Sequence, residues 1–160
     1  ESGAAERLRA AARRADVDPR RLVFAPKADH ADYLARYRHA GLFLDTLPYN
    51  AHTTASDALY AGCPVLTRPG DAFASRVAGS LNRQIGLDEL IVDDDEAYVA
   101  LAIDLAHEPA RLDALKTRLR DVSTRARLFD TQGYARDFVA LLMRIAERAR
   151  ATLPPQDISL

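Results

Sequence analysis

At 160 residues, 48% hydrophobic and 28% charged, the chain has the size and balance of one globular domain with a sizeable core. Its formal net charge of -1 supplies no field for steering nucleic acid or an anionic membrane, so neither is an expected partner. The single cysteine, Cys63, excludes an internal disulfide and any multi-cysteine metal site. No apolar run approaches the ~20 residues of a membrane span and no signal peptide is visible, so a cytoplasmic location is the default expectation.

In chain order, residues 4–15 are rich in Ala, Leu and Arg with no breaker and predict an amphipathic helix, stopped by Asp18-Pro19. Residues 21–25 (RLVFA) predict a strand ended by Pro26, and residues 31–39 a helix. Residues 42–45 predict a short buried strand, and a helix starts near Thr53 and closes at Gly62. Residues 64–67 predict a third strand, 73–82 a helix, 90–92 a weak fourth strand, and 96–107 a helix stopped near Pro109. Helices follow at 111–122 and 131–151, the last with Tyr134 and Phe138 at core spacing, and residues 153–160 read as a tail. Strands alternating with helices at roughly 20-residue spacing predict an α/β fold: a Rossmann-like parallel sheet with flanking helices over residues 1–152. Such units usually begin on a strand. This one begins on a helix at a residue other than Met, so a truncated piece of a longer protein is expected.

The chain is organised around residues 42–62, LFLDTLPYNAHTTASDALYAG. The pattern is strand, loop, helix start, the junction at which α/β proteins bind ligands. Free amides at the helix start and the positive end of its dipole favour an anion such as phosphate. Thr53 and Thr54 add hydroxyl donors, and Asp57, one turn into the helix, suits a ribose. Taken alone, His52-Thr53-Thr54 also reads as a helix cap and Asp57 as a first-turn acid. Arg76 suits an anion or a pairing with Asp71, the structural role being favoured. Arg38, His39 and His107 read as surface, and Cys63 as a small buried hydrophobe. Asp93-Asp94-Asp95 reads as a helix cap rather than a metal loop.

The run LFLDTLPYNAHTTASDALYAGCPVLT at residues 42–67, with PGDAFASRVAGSL at residues 69–81, closely resembles the C-terminal catalytic lobe of O-linked N-acetylglucosamine transferases. It is most like the bacterial members that carry tetratricopeptide repeats, and it is related to the plant SPINDLY-type fucosyltransferases. The likeness covers about residues 21–134. It implies a two-lobed glycosyltransferase of the GT-B type, of which this chain supplies the second, donor-binding lobe. By that match Thr53 and Thr54 contact the diphosphate, His52 sits beside diphosphate or sugar, and Asp57 holds the ribose hydroxyls. Arg36 lines the base pocket, and Tyr33 falls where many members have a stacking His. His30 falls where animal members have a Lys, and that contact is not carried over.

The resemblance implies transfer of N-acetylglucosamine from UDP to Ser or Thr hydroxyls of proteins, without metal or other cofactor. The donor phosphates' lysine, the acceptor site and the catalytic groups belong to upstream segments in the family, so no catalytic residue is assigned and the isolated chain is expected to be inactive. The implied partners are a nucleotide-sugar donor, a protein acceptor, and an N-terminal lobe with tetratricopeptide repeats on the same longer chain. A related donor, GDP-fucose or UDP-glucose, and a non-catalytic nucleotide-binding remnant remain open from the sequence.

Overall fold

The computed structural model describes residues 3–123 and 127–158. They form two compact units, Glu1–Tyr33 and Leu34–Leu160, with the boundary inside helix α2 (His30–Arg36).

In the first unit α1 (Gly3–Arg14) carries a Glu6–Arg13 ion pair at 2.8 Å. It closes where Asp16 takes the left-handed conformation, φ 57, and the Val17 amide reaches back to the Ala12 carbonyl at 2.9 Å. Asp18 then caps a 3₁₀ turn, Pro19–Arg21, accepting the Arg20 amide at 2.9 Å, with proline placed where its missing N–H costs nothing. The strand expected at 21–25 does not form. Residues 22–25 have no ladder partner among the described residues, Val23 is 86% exposed, and Phe24 lies under the Arg9 guanidinium at 5.1 Å. β-branched and aromatic residues favour a strand only where a neighbouring strand and a packed face receive them.

The second unit is built on a parallel pair, β1 (Phe43–Leu44) and β2 (Val65–Leu66), in the register Phe43↔Val65 and Leu44↔Leu66. Helix α3 (Thr53–Tyr60) lies on the crossover between them, as a parallel pairing requires. Beyond β2 the pairing continues only as a bridge between Thr67 and Ile91. The four strands expected from the sequence therefore reduce to two of two residues each, plus one bridge, among the described residues. At the fourth, a 3₁₀ turn, Asp88–Leu90, consumes the residues that would have started the strand.

Around this ladder stand α4 (Val77–Gln84), introduced by a 3₁₀ turn Phe73–Ser75, α5 (Asp95–His107), α6 (Pro109–Ser123) and α7 (Thr131–Arg150). Pro109, expected to stop the preceding helix, also opens α6. The core is small-residue and leucine packing: Ala55, Ala58 and Leu59 of α3 meet Val65, Ala78 and Leu119, all at or near zero exposure, and Cys63 is buried with them as expected. Inside it the Asn82 amide donates to the Val65 carbonyl at 2.7 Å, fastening α4 to β2. Gly62 takes φ 83 to end α3; a Cβ there would be strained as well as crowded by Arg120 at 3.3 Å. No helix among the described residues is long and apolar enough to cross a membrane.

Tyr134 and Phe138 are not core. They are 67% and 47% exposed and stack on each other, centroids 6.0 Å apart. Helical spacing puts them on one face of α7, but the one buried residue of that helix is Gly133, beside the Asp130 cap.

Candidate functional site

Asp45 directly follows β1 and is buried at 6% exposure. Its backbone continues the ladder through its amide to the Leu66 carbonyl at 3.0 Å. One carboxylate oxygen accepts the amides of Thr46 at 2.9 Å and Ala51 at 2.6 Å; the other accepts the Thr67 hydroxyl at 2.7 Å. Asn50, 1% exposed, donates from Nδ2 to the Thr46 carbonyl at 3.1 Å, while its own amide donates to Ala74 at 2.9 Å. The loop at residues 46–51, which contains a cis Leu47–Pro48 peptide, is thus closed on itself and fastened to the segment before α4.

That loop delivers the start of α3. His52 is the N-cap, with φ −104 and ψ −92, and its side chain does not cap the helix. The first intrahelical bond runs from the Ser56 amide to the His52 carbonyl at 3.1 Å. The amides of Thr53, Thr54 and Ala55 precede it and have no carbonyl of the helix to serve. The His52 ring is held on three sides. Nε2 lies 3.2 Å from the Ala74 carbonyl, which can only accept, so the ring donates there; Tyr49 stacks on it at 4.8 Å; Phe73 meets it edge-on at 6.1 Å. Tyr49 and Phe73 are themselves 64% and 76% exposed. Asp45, Thr46, Tyr49, Asn50, His52 and Thr54 wall an open cleft of about 350 Å³.

The structure thus brings His52 and Thr54 to one cleft. Thr53 occupies the first turn of α3 and is exposed; Asp57, half-buried, lies one turn further on the same helix. Arg36 ends α2, and the next residue, Tyr37, donates its hydroxyl to the Thr54 carbonyl at 3.3 Å, so the end of α2 is tied to the start of α3. Tyr33 belongs to the first unit, where its ring stacks on His30 at 6.2 Å. Arg76 is exposed at the start of α4 and makes no ion pair with Asp71, from which the 3₁₀ turn Phe73–Ser75 separates it. Asp94 caps α5 through the Ala97 amide at 2.8 Å, as expected. No group of His, Cys, Asp or Glu among the described residues is arranged to hold a metal ion.

Sequence reasoning placed Asp45 only at a strand end and did not single out Asn50, Thr67 or Tyr98. The signal for Asp45 was a lone carboxylate closing an apolar run, which is expensive to bury unless it is hydrogen-bonded. Two groups nearby have shifted ionisation. Burial, then the charge of Asp45, pushes the Tyr98 phenol up to about 12, and burial pushes the Cys63 thiol up to about 11.

Set beside known proteins, residues 2–138 match the profile of glycosyl transferase family 41. A UDP-N-acetylglucosamine–peptide N-acetylglucosaminyltransferase of Caenorhabditis elegans is 32% identical over 143 residues, 89% of this chain and 12% of that protein. A probable enzyme of the same description from Arabidopsis thaliana, SEC, is 36% identical over 82% of this chain and 14% of its own length. A solved structure of a Thermobaculum terrenum O-GlcNAc transferase mutant superposes with a TM-score of 0.80 at 32% identity, covering 92% of this chain and 28% of that one. The chain therefore spans a small part of the relatives it matches.

Proposed function

The chain belongs to glycosyl transferase family 41, and from that premise we propose that it is the donor-nucleotide-binding part of a protein O-linked N-acetylglucosaminyltransferase. The observation that carries the proposal is the start of α3: His52 and Thr54 wall a cleft behind a buried, hydrogen-bonded Asp45, and Thr53 stands exposed in the same first turn, whose amides have no carbonyl of the helix to serve. The parallel β1–α3–β2 unit is the kernel of a Rossmann-like lobe, and residues 1–152 form the donor lobe of a GT-B enzyme, followed by a tail. The bound ligand is UDP-N-acetylglucosamine. Thr53 and Thr54 meet its diphosphate, His52 sits at the junction with the sugar, Asp57 holds the ribose hydroxyls, and Tyr33 and Arg36 serve the base.

Glycosyl transfer needs the leaving diphosphate stabilised as its charge grows. Donors fixed in place before the reaction do this without reorganising, and a helix N-terminus with two hydroxyls is such a set. The chemistry proposed is therefore metal-independent, with a Ser or Thr hydroxyl of a protein as acceptor and with acceptor groups and the catalytic base supplied by other segments of the enzyme. Calorimetric titration of the complete gene product with UDP, GDP, uridine and UDP-N-acetylglucosamine tests it. UDP and its sugar conjugate are expected to bind far more tightly than uridine and GDP. Indifference to the diphosphate overturns the reading, and preference for GDP overturns the choice of base.

A further inference from the structure

We propose that Asp45 is a positioning residue of this site, its buried carboxylate setting the loop that aims His52 and the first turn of α3 at the donor diphosphate. The inference rests on the donor-site reading above.

Four segments converge on Asp45. The Thr46 and Ala51 amides, at the two ends of the loop, share one carboxylate oxygen; the Thr67 hydroxyl, just past β2, takes the other; the Tyr98 hydroxyl, from α5, donates to its backbone carbonyl at 2.7 Å. Ala51 directly precedes the His52 cap. A change of a few tenths of an ångström at the 2.6 Å Ala51 bond is therefore passed to the helix start with no flexible residue between.

The residue type fits this task and few others do. A carboxylate is acceptor-only, so it serves three converging donors without presenting an N–H or O–H of its own. All three donors are neutral, and bonds to an ionised acceptor are shorter and roughly twice as strong as neutral ones. Packing alone gives no reason to bury a charge here, since a well-packed apolar residue of similar volume does not carry its desolvation cost. The clasp also satisfies the Ala51 amide immediately upstream of the helix. Thr53 and Thr54, both exposed at the helix start, are left to meet the ligand, whereas Ala55 is fully buried.

The test compares wild type, Asp45→Ala, Asp45→Asn and Thr67→Val in the complete gene product. UDP and uridine affinities are measured by calorimetry at a temperature where circular dichroism shows each variant folded. Asp45→Ala is expected to weaken UDP at least about tenfold, the loss of one to two charge-assisted hydrogen bonds, while uridine binding changes little. Asp45→Asn keeps one acceptor oxygen for the two amides, and its NH₂ can donate to the Thr67 hydroxyl, so it should recover to within about threefold of wild type. Thr67→Val removes one donor only and should fall between wild type and Asp45→Ala. If Asp45→Ala does not fold, Thr67→Val and Tyr98→Phe carry the decision, both expected to lower the UDP-to-uridine affinity ratio. Folded variants with the wild-type ratio overturn the role of Asp45 while leaving the donor site intact. A wild-type protein that binds UDP no better than uridine overturns the donor site itself, and the positioning role with it.

Discussion

The Tyr98 hydroxyl donates to the backbone carbonyl of Asp45 at 2.7 Å, joining α5 to the end of β1 across 53 residues of sequence. Burial and the neighbouring Asp45 charge both disfavour the phenolate, and they raise its ionisation from its ordinary value of 10.0 to about 12. The sign follows from proton counting. Between pH 10 and 12 the native state keeps a proton that the unfolded chain has lost, so stability falls as pH rises through that window and is fully present below it. Chemical-denaturation midpoints followed from pH 8.5 to 12 should decline more steeply for wild type than for Tyr98→Phe. Parallel slopes would place Tyr98 in ordinary solvent.

Cys63 has no exposure and sits between α3 and β2, with its thiol pushed up to about 11 mainly by burial. The thiolate is the reactive species. Alkylation by a maleimide at pH 7.5 is therefore expected to be negligible in the folded protein and rapid in denaturant. Labelling followed by intact mass separates the two. Stoichiometric labelling of the native chain within minutes would contradict this packing.

Asp57 and Asp94 offer a controlled comparison of two carboxylates. Asp57 is half-buried one turn into α3, whereas Asp94 is exposed and caps α5 through the Ala97 amide. Asp94→Ala should cost about 1 kcal/mol of stability, the usual loss for an N-cap, with UDP affinity unchanged. Asp57→Ala should weaken UDP by about one to two decades, as expected when a hydrogen bond to a charged group of ~1.5–3 kcal/mol is lost, with little effect on the melting temperature. Equal affinity losses in the two variants would put the ribose elsewhere.

The start and stop of α3 could be read directly from His52-Thr53-Thr54 and Gly62, because caps and left-handed glycines are local devices whose partners lie within one turn. The Asp94 cap was legible for the same reason. The Asp45 clasp was not. Only Thr46 is adjacent; the other partners lie six and 22 residues away, and 53 for Tyr98, and a sequence shows a lone carboxylate where the fold shows a junction. The residues at 21–25 have the composition of a strand but, among the described residues, no strand to pair with, and pairing is what decides. Tyr134 and Phe138 fail differently. Their spacing correctly gave a shared face of α7, and periodicity carries no information about what, if anything, that face meets.

The two threonines at the start of α3 separate an anion site from a mere helix start. His52 is the N-cap, so neither Thr53 nor Thr54 caps the helix, and the cap role that threonine often fills is not theirs. If they serve a diphosphate, their hydroxyls add charge-assisted bonds to those of the backbone amides. Uridine keeps base and ribose contacts but offers no anion. Replacing both by valine keeps side-chain shape and backbone donors and deletes the hydroxyls alone. The double variant should narrow the UDP-over-uridine affinity gap by about two to four decades, corresponding to two charge-assisted bonds at ~1.5–3 kcal/mol each. It should not close the gap, because the helix dipole and the free amides persist. Competition calorimetry on the folded protein reads the ratio directly. A wild-type ratio in the double variant would mean that the hydroxyls face solvent and that only the backbone of this turn meets the nucleotide.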